Sequence, residues 1–495
     1  MIDIARALKA PLHTWTESLL ERGDPSSSAM WEVARRSAQV AALMLSVPFW
    51  LAGDMAEALA IGNAPFADVT LAEEVRPLDR PLDIQGFSVS TYQNSSNPEF
   101  CRGSDWYSHI HTLFGEDQAS AQFKGVGLLT EQGREMVAYA VIHANGSAIR
   151  FSVEWADVRS EDGSIDEAAL QKYIELAQFF NEKGIQPIIT LHHFVTPLDS
   201  EGRSLLETKA GANEYVTYAT AVIRELAPYV THFMTFNEPN VNAIENYILG
   251  DFPAGGVARM WQASDVTHRM LAAHERVYDA VREVRCADGD PPRIGITHQA
   301  LTFLPTSRWN YLARITSFVM TYCFHESFMR WSESHQNSFD LVGVQFYTTP
   351  LIGGIIPDST CREGEEMVES MRFRLFPEGI LAVLREMGRR LPGKPLVVTE
   401  TGTAGENSVA EPNDMDERRR RYMSRSMRAV TQAIREGIPM VGYMPWTLFD
   451  NIEWHHGFSR AHGFGLVARD PETNAIRYTG GIKPIQDFFS AGGDA

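Results

Sequence analysis

Cysteine is scarce in this chain. The four that its 495 residues contain, Cys101, Cys286, Cys323 and Cys361, show no CxxC spacing, which argues against a zinc ribbon or a disulfide framework and marks them as ordinary reduced thiols. Positive charge is scarce as well. With 44 Lys and Arg against 63 Asp and Glu, the formal net charge is -19, a field that repels phosphate backbones, so nucleic acid is not an expected partner. No metal motif, Gly-rich phosphate cradle or redox motif stands out, and neither a cofactor nor a metal is expected. No apolar run reaches the roughly 20 residues that a membrane-spanning helix needs. Residues 1–10, MIDIARALKA, carry an early aspartate and lead into no apolar core with a cleavage site, so a cytoplasmic location is expected.

What is present suits a large globular enzyme. At 44% hydrophobic and 22% charged residues, there is ample material for a core. Length alone suggests about three domains, but α/β barrels with insertions run past about 400 residues as one. Residues 1–81 differ in character from the rest and are read as an N-terminal extension, helical in expectation. Its apolar run VAALMLSVPFWLAG, from Val40 to Gly53, follows Arg35 and Arg36 and contains Pro48. That run either packs on the catalytic domain, the favoured reading, or makes peripheral contact with a membrane interface. The segment EEVRPLDRP at 73–81 has the charge and proline of a linker.

From residue 82 to 495, β-type runs alternate with long amphipathic segments. Eight strands are read near 84–91, 148–155, 186–193, 232–237, 293–298, 340–347, 395–401 and 439–448, most of them near-continuously apolar, as parallel strands covered on both faces are. The connector after the second shows the helical logic. Ser164 with Glu167 reads as a capping box, Leu170, Tyr173, Ile174, Ala177 and Phe180 form the stripe, and Gly184 ends it. Eight such β/α units predict a TIM (β/α)8 barrel with an extra N-terminal helical segment.

Two carboxylate motifs then stand out, Thr235-Phe236-Asn237-Glu238-Pro239 and Val397-Val398-Thr399-Glu400-Thr401-Gly402. They close the fourth and seventh strands, which lie on opposing arcs of an eight-strand ring, and the C-terminal strand ends are where barrel active sites sit. Alone, Glu238 reads equally as a turn residue before proline and Glu400 as a carboxylate favoured by a helix dipole. Together they match the pair of acids that glycoside hydrolysis requires.

Further motifs make the chain resemble glycoside hydrolase family 1, the β-glucosidase family, over residues from about 82 to about 467. They are Arg150-Phe151-Ser152-Val153-Glu154-Trp155, Thr190-Leu191-His192-His193-Phe194, GVQFYT at 343–348, Thr399-Glu400, and PWTLFDNIEWHHG at 445–457, with Asp416, Arg419 and Tyr422 at the family's spacing. The resemblance implies that Glu400 is the nucleophile and Glu238 the acid/base, with Asn237 holding the sugar 2-hydroxyl. By the same likeness Arg150 and Tyr347 contact the nucleophile, and Gln93, His193, Trp446, Glu453 and Trp454 form the sugar pocket, where amides and carboxylates bind hydroxyls and indoles stack on the pyranose. Each of these has an ordinary structural alternative: a satisfied core histidine, a barrel salt bridge, a packing tryptophan.

The chain also departs from the family pattern. Asn94-Ser95-Ser96 follows Gln93 in place of Ile-Glu-Gly, Thr401 and Gln345 stand where asparagines are expected, a tryptophan-bearing loop is absent from 197–214, and the rim loop 459–464 is longer by about two residues. The implied activity is a retaining β-glycosidase acting on a small-molecule glycoside or oligosaccharide without a phosphate, since Glu453 would repel one. A transglycosylase using the same intermediate, or a weakly active sugar-binding relative, remain as alternatives.

Overall fold

The structure, a computed structural model, describes residues 69, 71–72 and 78–490, apart from 258, 308, 355–358 and 362–364. The apolar run at 40–53 and the extension's expected helices lie outside the described residues. Eight strands form a closed parallel barrel: β1 (Ile84–Ser88), β2 (Ala148–Ser152), β3 (Gln186–Thr190), β4 (His232–Met234), β5 (Arg293–Gln299), β6 (Leu341–Gln345), β7 (Leu396–Glu400) and β8 (Met440–Tyr443). Each pairs with the next in chain order, and β8 closes on β1 with Ile84 opposite Gly442. All eight coincide with the predicted strands, and the predicted TIM barrel is the fold found.

Around the barrel run α1 (Glu131–His143), α2 (Glu167–Glu182), α3 (Lys209–Leu226) and α4 (Met260–Ala280). After β5 come α5 (Tyr311–Thr321), a π-helical turn Tyr322–Glu326 and α6 (Ser327–Ser334), followed by α7 (Ile380–Arg390), α8 (Asp414–Arg435) and α9 (Ile482–Ser490). One local expectation is corrected. The cap of α2 is Asp166, whose carboxylate accepts from Ala169 N at 3.0 Å, whereas the Ser164 hydroxyl donates to Asp162 at 2.6 Å. A bridge between Arg159 and Ile165 keeps the chain extended up to that point, so the helix begins at Glu167.

Most of the ladders stop short of the predicted C-terminal ends, and the reason bears on the site. Single backbone bonds carry β2, β3 and β8 past their last ladder rung, Val153 N to Thr190 O at 2.9 Å, Leu191 N to Met234 O at 2.8 Å and Met444 N to Val398 O at 2.7 Å, and then the chains turn away. The register of β7 against β6 also shifts between Val398 and Glu400. Strand side chains alternate faces. Outward ones such as Phe87, Ile149, Phe151, Ile189, Phe233, Ile296, Val344 and Val398 pack with the helices in one large core. Inward, Ile84, Ala148, Ile188, Met234, Leu341, Val397 and Met444 fill the barrel floor. Two to four residues further along the same faces stand Ser88, Arg150, Thr190 and Gln345, all buried.

Ahead of the barrel, Leu78 is buried in the outer core, Val69 and Leu71 pack on it, and the Ala72 carbonyl accepts from Arg428 of α8 at 2.9 Å. Asp79 pairs with Arg435 of the same helix at 2.6 Å. All four cysteines are free. Among the described residues, no helix is long and apolar enough to cross a membrane.

Candidate active site

The polar mouth is organised by one cation. Arg150, fully buried on β2, donates through Nη1 to Glu400 Oε1 at 2.7 Å, through Nη2 to Asn237 Oδ1 at 2.5 Å and through Nε to Thr190 Oγ1 at 2.8 Å. Its planar fork thus sets three strand ends, β3, β4 and β7, at fixed positions around it. The second oxygen of Glu400 accepts from Tyr347 OH at 2.7 Å. Burial raises the Tyr347 phenol well above its usual range, with Glu400 and Glu238 adding to it, so it remains a donor.

Asn237 and Glu238 follow β4 on a backbone held from both sides. Asn237 N donates to His192 O at 2.8 Å and Glu238 N to Thr297 O at 3.1 Å. Glu238 sits in the left-handed region at φ 44° and ψ 65°, unusual for a non-glycine residue and doubly so before proline, a conformation costing about 1–3 kcal/mol that persists only where its surroundings fix it. Burial and then the charge of Glu400 push the Glu238 carboxyl well above the usual carboxylate range. Burial raises Glu400 too, but Arg150 and Tyr347 pull it back. Arg150 and Tyr347 thus favour the ionised form of Glu400, whereas burial and the Glu400 charge favour the neutral form of Glu238.

The remaining expected residues gather at the same face. Gln93 donates to Ile452 O at 2.7 Å, tying the loop after β1 to the loop after β8. His193 stacks between Trp446 at 5.7 Å and Trp454 at 6.0 Å between ring centroids. Burial, with Arg150 and His192 adding, holds its imidazole far below the usual range, so it is neutral. The Glu453 carboxyl is pushed up to about 8, first by burial and then by Glu400 and Asp450. The Trp446–Thr447 peptide bond is cis. Four buried atoms here, Gln93 Oε1, His193 Nδ1, Asn237 Nδ2 and Glu238 Oε1, have no hydrogen-bond partner among the described residues.

Two departures from the expected pattern acquire partners. Gln345 Nε2 reaches Asn237 Oδ1 at 2.7 Å, and Thr401 Oγ1 lies 3.0 Å from Tyr422 OH, which also donates to Tyr347 O at 3.0 Å. Asp416, Arg419 and Tyr422 are supports: Arg419 donates to the carbonyls of Gly405 and Gly463, and Asp416 accepts from both terminal nitrogens of Arg477.

Sequence reasoning passed over three contributors. Thr297, an inward position of β5, contacts Asn237 Oδ1 at 3.1 Å; the alternation along β5 is the signal that finds it. Trp106 packs 4.6 Å from Trp454, and Phe252 lies 4.8 Å from Trp106. Trp106 lies on the helix Asp105–Phe114 and Phe252 in a loop, and no local pattern signals that these two connections meet. No group of three or more His, Cys, Asp or Glu that could hold a metal occurs among the described residues.

Known proteins share both the sequence and the fold. Beta-glucosidase A of Thermotoga maritima is 26% identical over 365 residues, covering 67% of this chain and 80% of its own. A 1,4-beta-D-glucan glucohydrolase of Thermotoga neapolitana is 25% identical over 431 residues, 80% of this chain and 95% of its own. Among solved structures, a beta-glycosidase from Pyrococcus horikoshii superposes with a TM-score of 0.70 at 24% identity, covering 84% of this chain and 96% of that one. The sequence model of Glycosyl hydrolase family 1 matches residues 140–330 and 332–480, a span holding both glutamates, Arg150 and the two stacked tryptophans, and by that match the chain belongs to this family and is a glycoside hydrolase.

Proposed function

We propose that the protein is a retaining β-glycosidase that cleaves a terminal, unphosphorylated β-linked sugar, with Glu400 as nucleophile and Glu238 as acid/base. The observation that carries this reading is the asymmetry between the two carboxyls. Glu400 lies against a guanidinium and a phenol, which favour the anion that attacks the sugar carbon. Among the described residues Glu238 makes no ion pair, and burial with the charge of Glu400 raises it well above the usual range, with Arg150 opposing, which favours the neutral acid that protonates the leaving oxygen.

In the first step Glu400 displaces the aglycone while Glu238 gives its proton to the departing oxygen, leaving a covalent glycosyl-enzyme. In the second, Glu238, now a carboxylate, takes a proton from water, which attacks the same carbon and frees Glu400. Asn237 Nδ2, unpartnered while its carbonyl is held by Arg150 and Gln345, is left to donate to the 2-hydroxyl as charge develops on the ring. The unpartnered atoms of Gln93 and His193 suit further hydroxyls, and Trp446 and Trp454 a pyranose face. Raised to about 8, Glu453 is itself largely neutral near pH 7, and the charges disfavouring a 6-phosphate are the neighbouring carboxylates Glu400 and Asp450.

A panel of aryl β-glycosides differing only in the sugar, followed by proton NMR of the first-formed product, tests this. Retained configuration and cleavage of the plain sugar in preference to its 6-phosphate are expected, and the same spectra report how much intermediate passes to an alcohol acceptor. An inverted product overturns the assignment of roles.

A further inference from the structure

The left-handed turn that carries Glu238 is braced from outside the barrel. Asn240, two residues beyond Glu238, donates through Nδ2 to the Gln299 carbonyl at 2.9 Å and to the Phe324 carbonyl at 2.6 Å. The first acceptor ends β5. The second lies in the π-helical turn Tyr322–Glu326, and that turn is held in its own right. His325, its neighbour, lies 3.0 Å by Nδ1 from His298 Nε2 and 3.2 Å by Nε2 from Glu386 Oε2.

His298 is the outward residue of β5 next to Thr297, fully buried and stacked on Phe328 at 4.0 Å with 8° between the rings. Glu386, on α7, accepts from Arg390 at 2.9 Å, and Arg390 is clasped in turn by Glu326 and Glu333. Among the described residues, the charged groups around His325 include Glu386 and Arg390 from α7, Glu326 from its own turn and Glu333 from α6, with neutral His298 from β5. A buried imidazole with a ring partner on one side and an anion on the other is fixed in tautomer and orientation. The ionised Glu386 accepts a hydrogen bond from His325 Nε2, and in the tautomer this selects, His325 Nδ1 accepts one from His298 Nε2. None of this touches the sugar pocket.

The geometry points to His325, with His298 and Glu386, as positioning residues for the acid/base glutamate: the relay sets the π-helical turn and the end of β5, and these hold Glu238 through Asn240 and Thr297. A helix distorted to present one carbonyl and one imidazole in adjacent positions, Phe324 inward to Asn240 and His325 to β5 and α7, fits that task. So does the strained Glu238 backbone, which needs such restraint. The inference rests on the assignment of Glu238 as the acid/base.

The test is a leaving-group series. His325→Phe, His325→Gln and Glu386→Gln are compared with Glu238→Ala and the unaltered enzyme on β-glycosides from dinitrophenyl, whose departure needs no proton, to alkyl, whose departure does. Misplacing the acid by a fraction of an ångström should cost kcat/KM roughly 10- to 100-fold on alkyl glycosides and leave the dinitrophenyl glycoside within about threefold. His325→Gln, which keeps one hydrogen bond of the relay, should recover part of the loss seen in His325→Phe. An equal loss on both substrates, or none on either, overturns the positioning role while Glu238→Ala still shows the dependence. If Glu238→Ala itself shows no dependence on leaving group, the assignment of Glu238 is what fails. Circular dichroism and thermal midpoints identify a variant that does not fold, and in that event Glu386→Gln, conservative in shape, carries the same comparison.

Discussion

The floor and the mouth of this barrel are built from the same strands and the same inward faces, yet they follow opposite rules. At the floor, Ile84, Ala148, Ile188, Leu341 and Val397 pack against one another and gain from leaving water. At the mouth, a few residues along, Arg150, Asn237, Gln345 and Glu400 are equally buried. There the groups lose hydration and regain part of it through specific partners, while Glu238 Oε1, Asn237 Nδ2 and Gln345 Oε1 are left without one among the described residues. The floor is self-sufficient, and the mouth is arranged for something that is not protein.

The largest effects follow from removing the mouth's carboxyls. Glu400→Ala should lower kcat by about 10⁴-fold or more on every glycoside, because no covalent intermediate forms. Glu238→Ala should lose about 10²- to 10⁴-fold on poor leaving groups only, and azide should restore turnover as the β-glycosyl azide. Steady-state kinetics with product NMR read both, and a Glu400→Ala enzyme turning over near normally contradicts the mechanism.

This contrast also explains how much the sequence disclosed. Every barrel strand was legible, because parallel strands covered on both faces must be apolar runs, and the two glutamates stood out because they terminate such runs. The support of Asn237 by Thr297 was hidden, since a threonine inside a strand looks like any other strand former. Trp106, Phe252 and the relay from His298 to Glu386 were hidden for another reason. Their contacts join elements and loops far apart in sequence, which no local period specifies, and His325 lies in the π-helical turn after β5. The cap at Asp166 was missed by two residues because a loop bridge, a non-local contact, decided where the helix starts.

At the floor, Leu341→Ala should cost stability and nothing else. Leu341 is 2% exposed, and truncating such a residue typically costs about 2–5 kcal/mol. Denaturant unfolding should show the loss, while the ratio of kcat/KM between glucoside and galactoside stays unchanged. A shifted ratio would mean that floor and mouth are coupled.

Behind the mouth, Glu154 offers a pH-dependent version of the same contrast. Burial pushes its carboxyl from 4.5 up to about 7, and one of its oxygens has no partner. Because the folded-state value is raised, its favourable contribution is fully present below about pH 4.5 and is lost as pH rises through about 7. Glutamine keeps the acceptor for Ser152 Oγ and Tyr92 N and does not ionise. Glu154→Gln should therefore match the unaltered protein in stability near pH 4 and exceed it by up to about 3 kcal/mol above pH 8. A stability difference that does not change with pH would show that Glu154 titrates normally.

The smallest effect, and the sharpest probe of the mouth, comes from Gln345. Its amide bonds Asn237 Oδ1 at 2.7 Å alongside Arg150 and Thr297. Gln345→Asn, which restores the residue the family pattern leads one to expect, withdraws that donor by one methylene while leaving the other two. A single neutral hydrogen bond contributes about 1 kcal/mol, so kcat/KM should fall roughly fivefold. Asn237 is proposed to act on the sugar 2-hydroxyl, so the loss should appear with a glucoside and vanish with the matching 2-deoxyglucoside. An equal loss on both sugars would place the role of Gln345 in the barrel's packing, on the side of the floor.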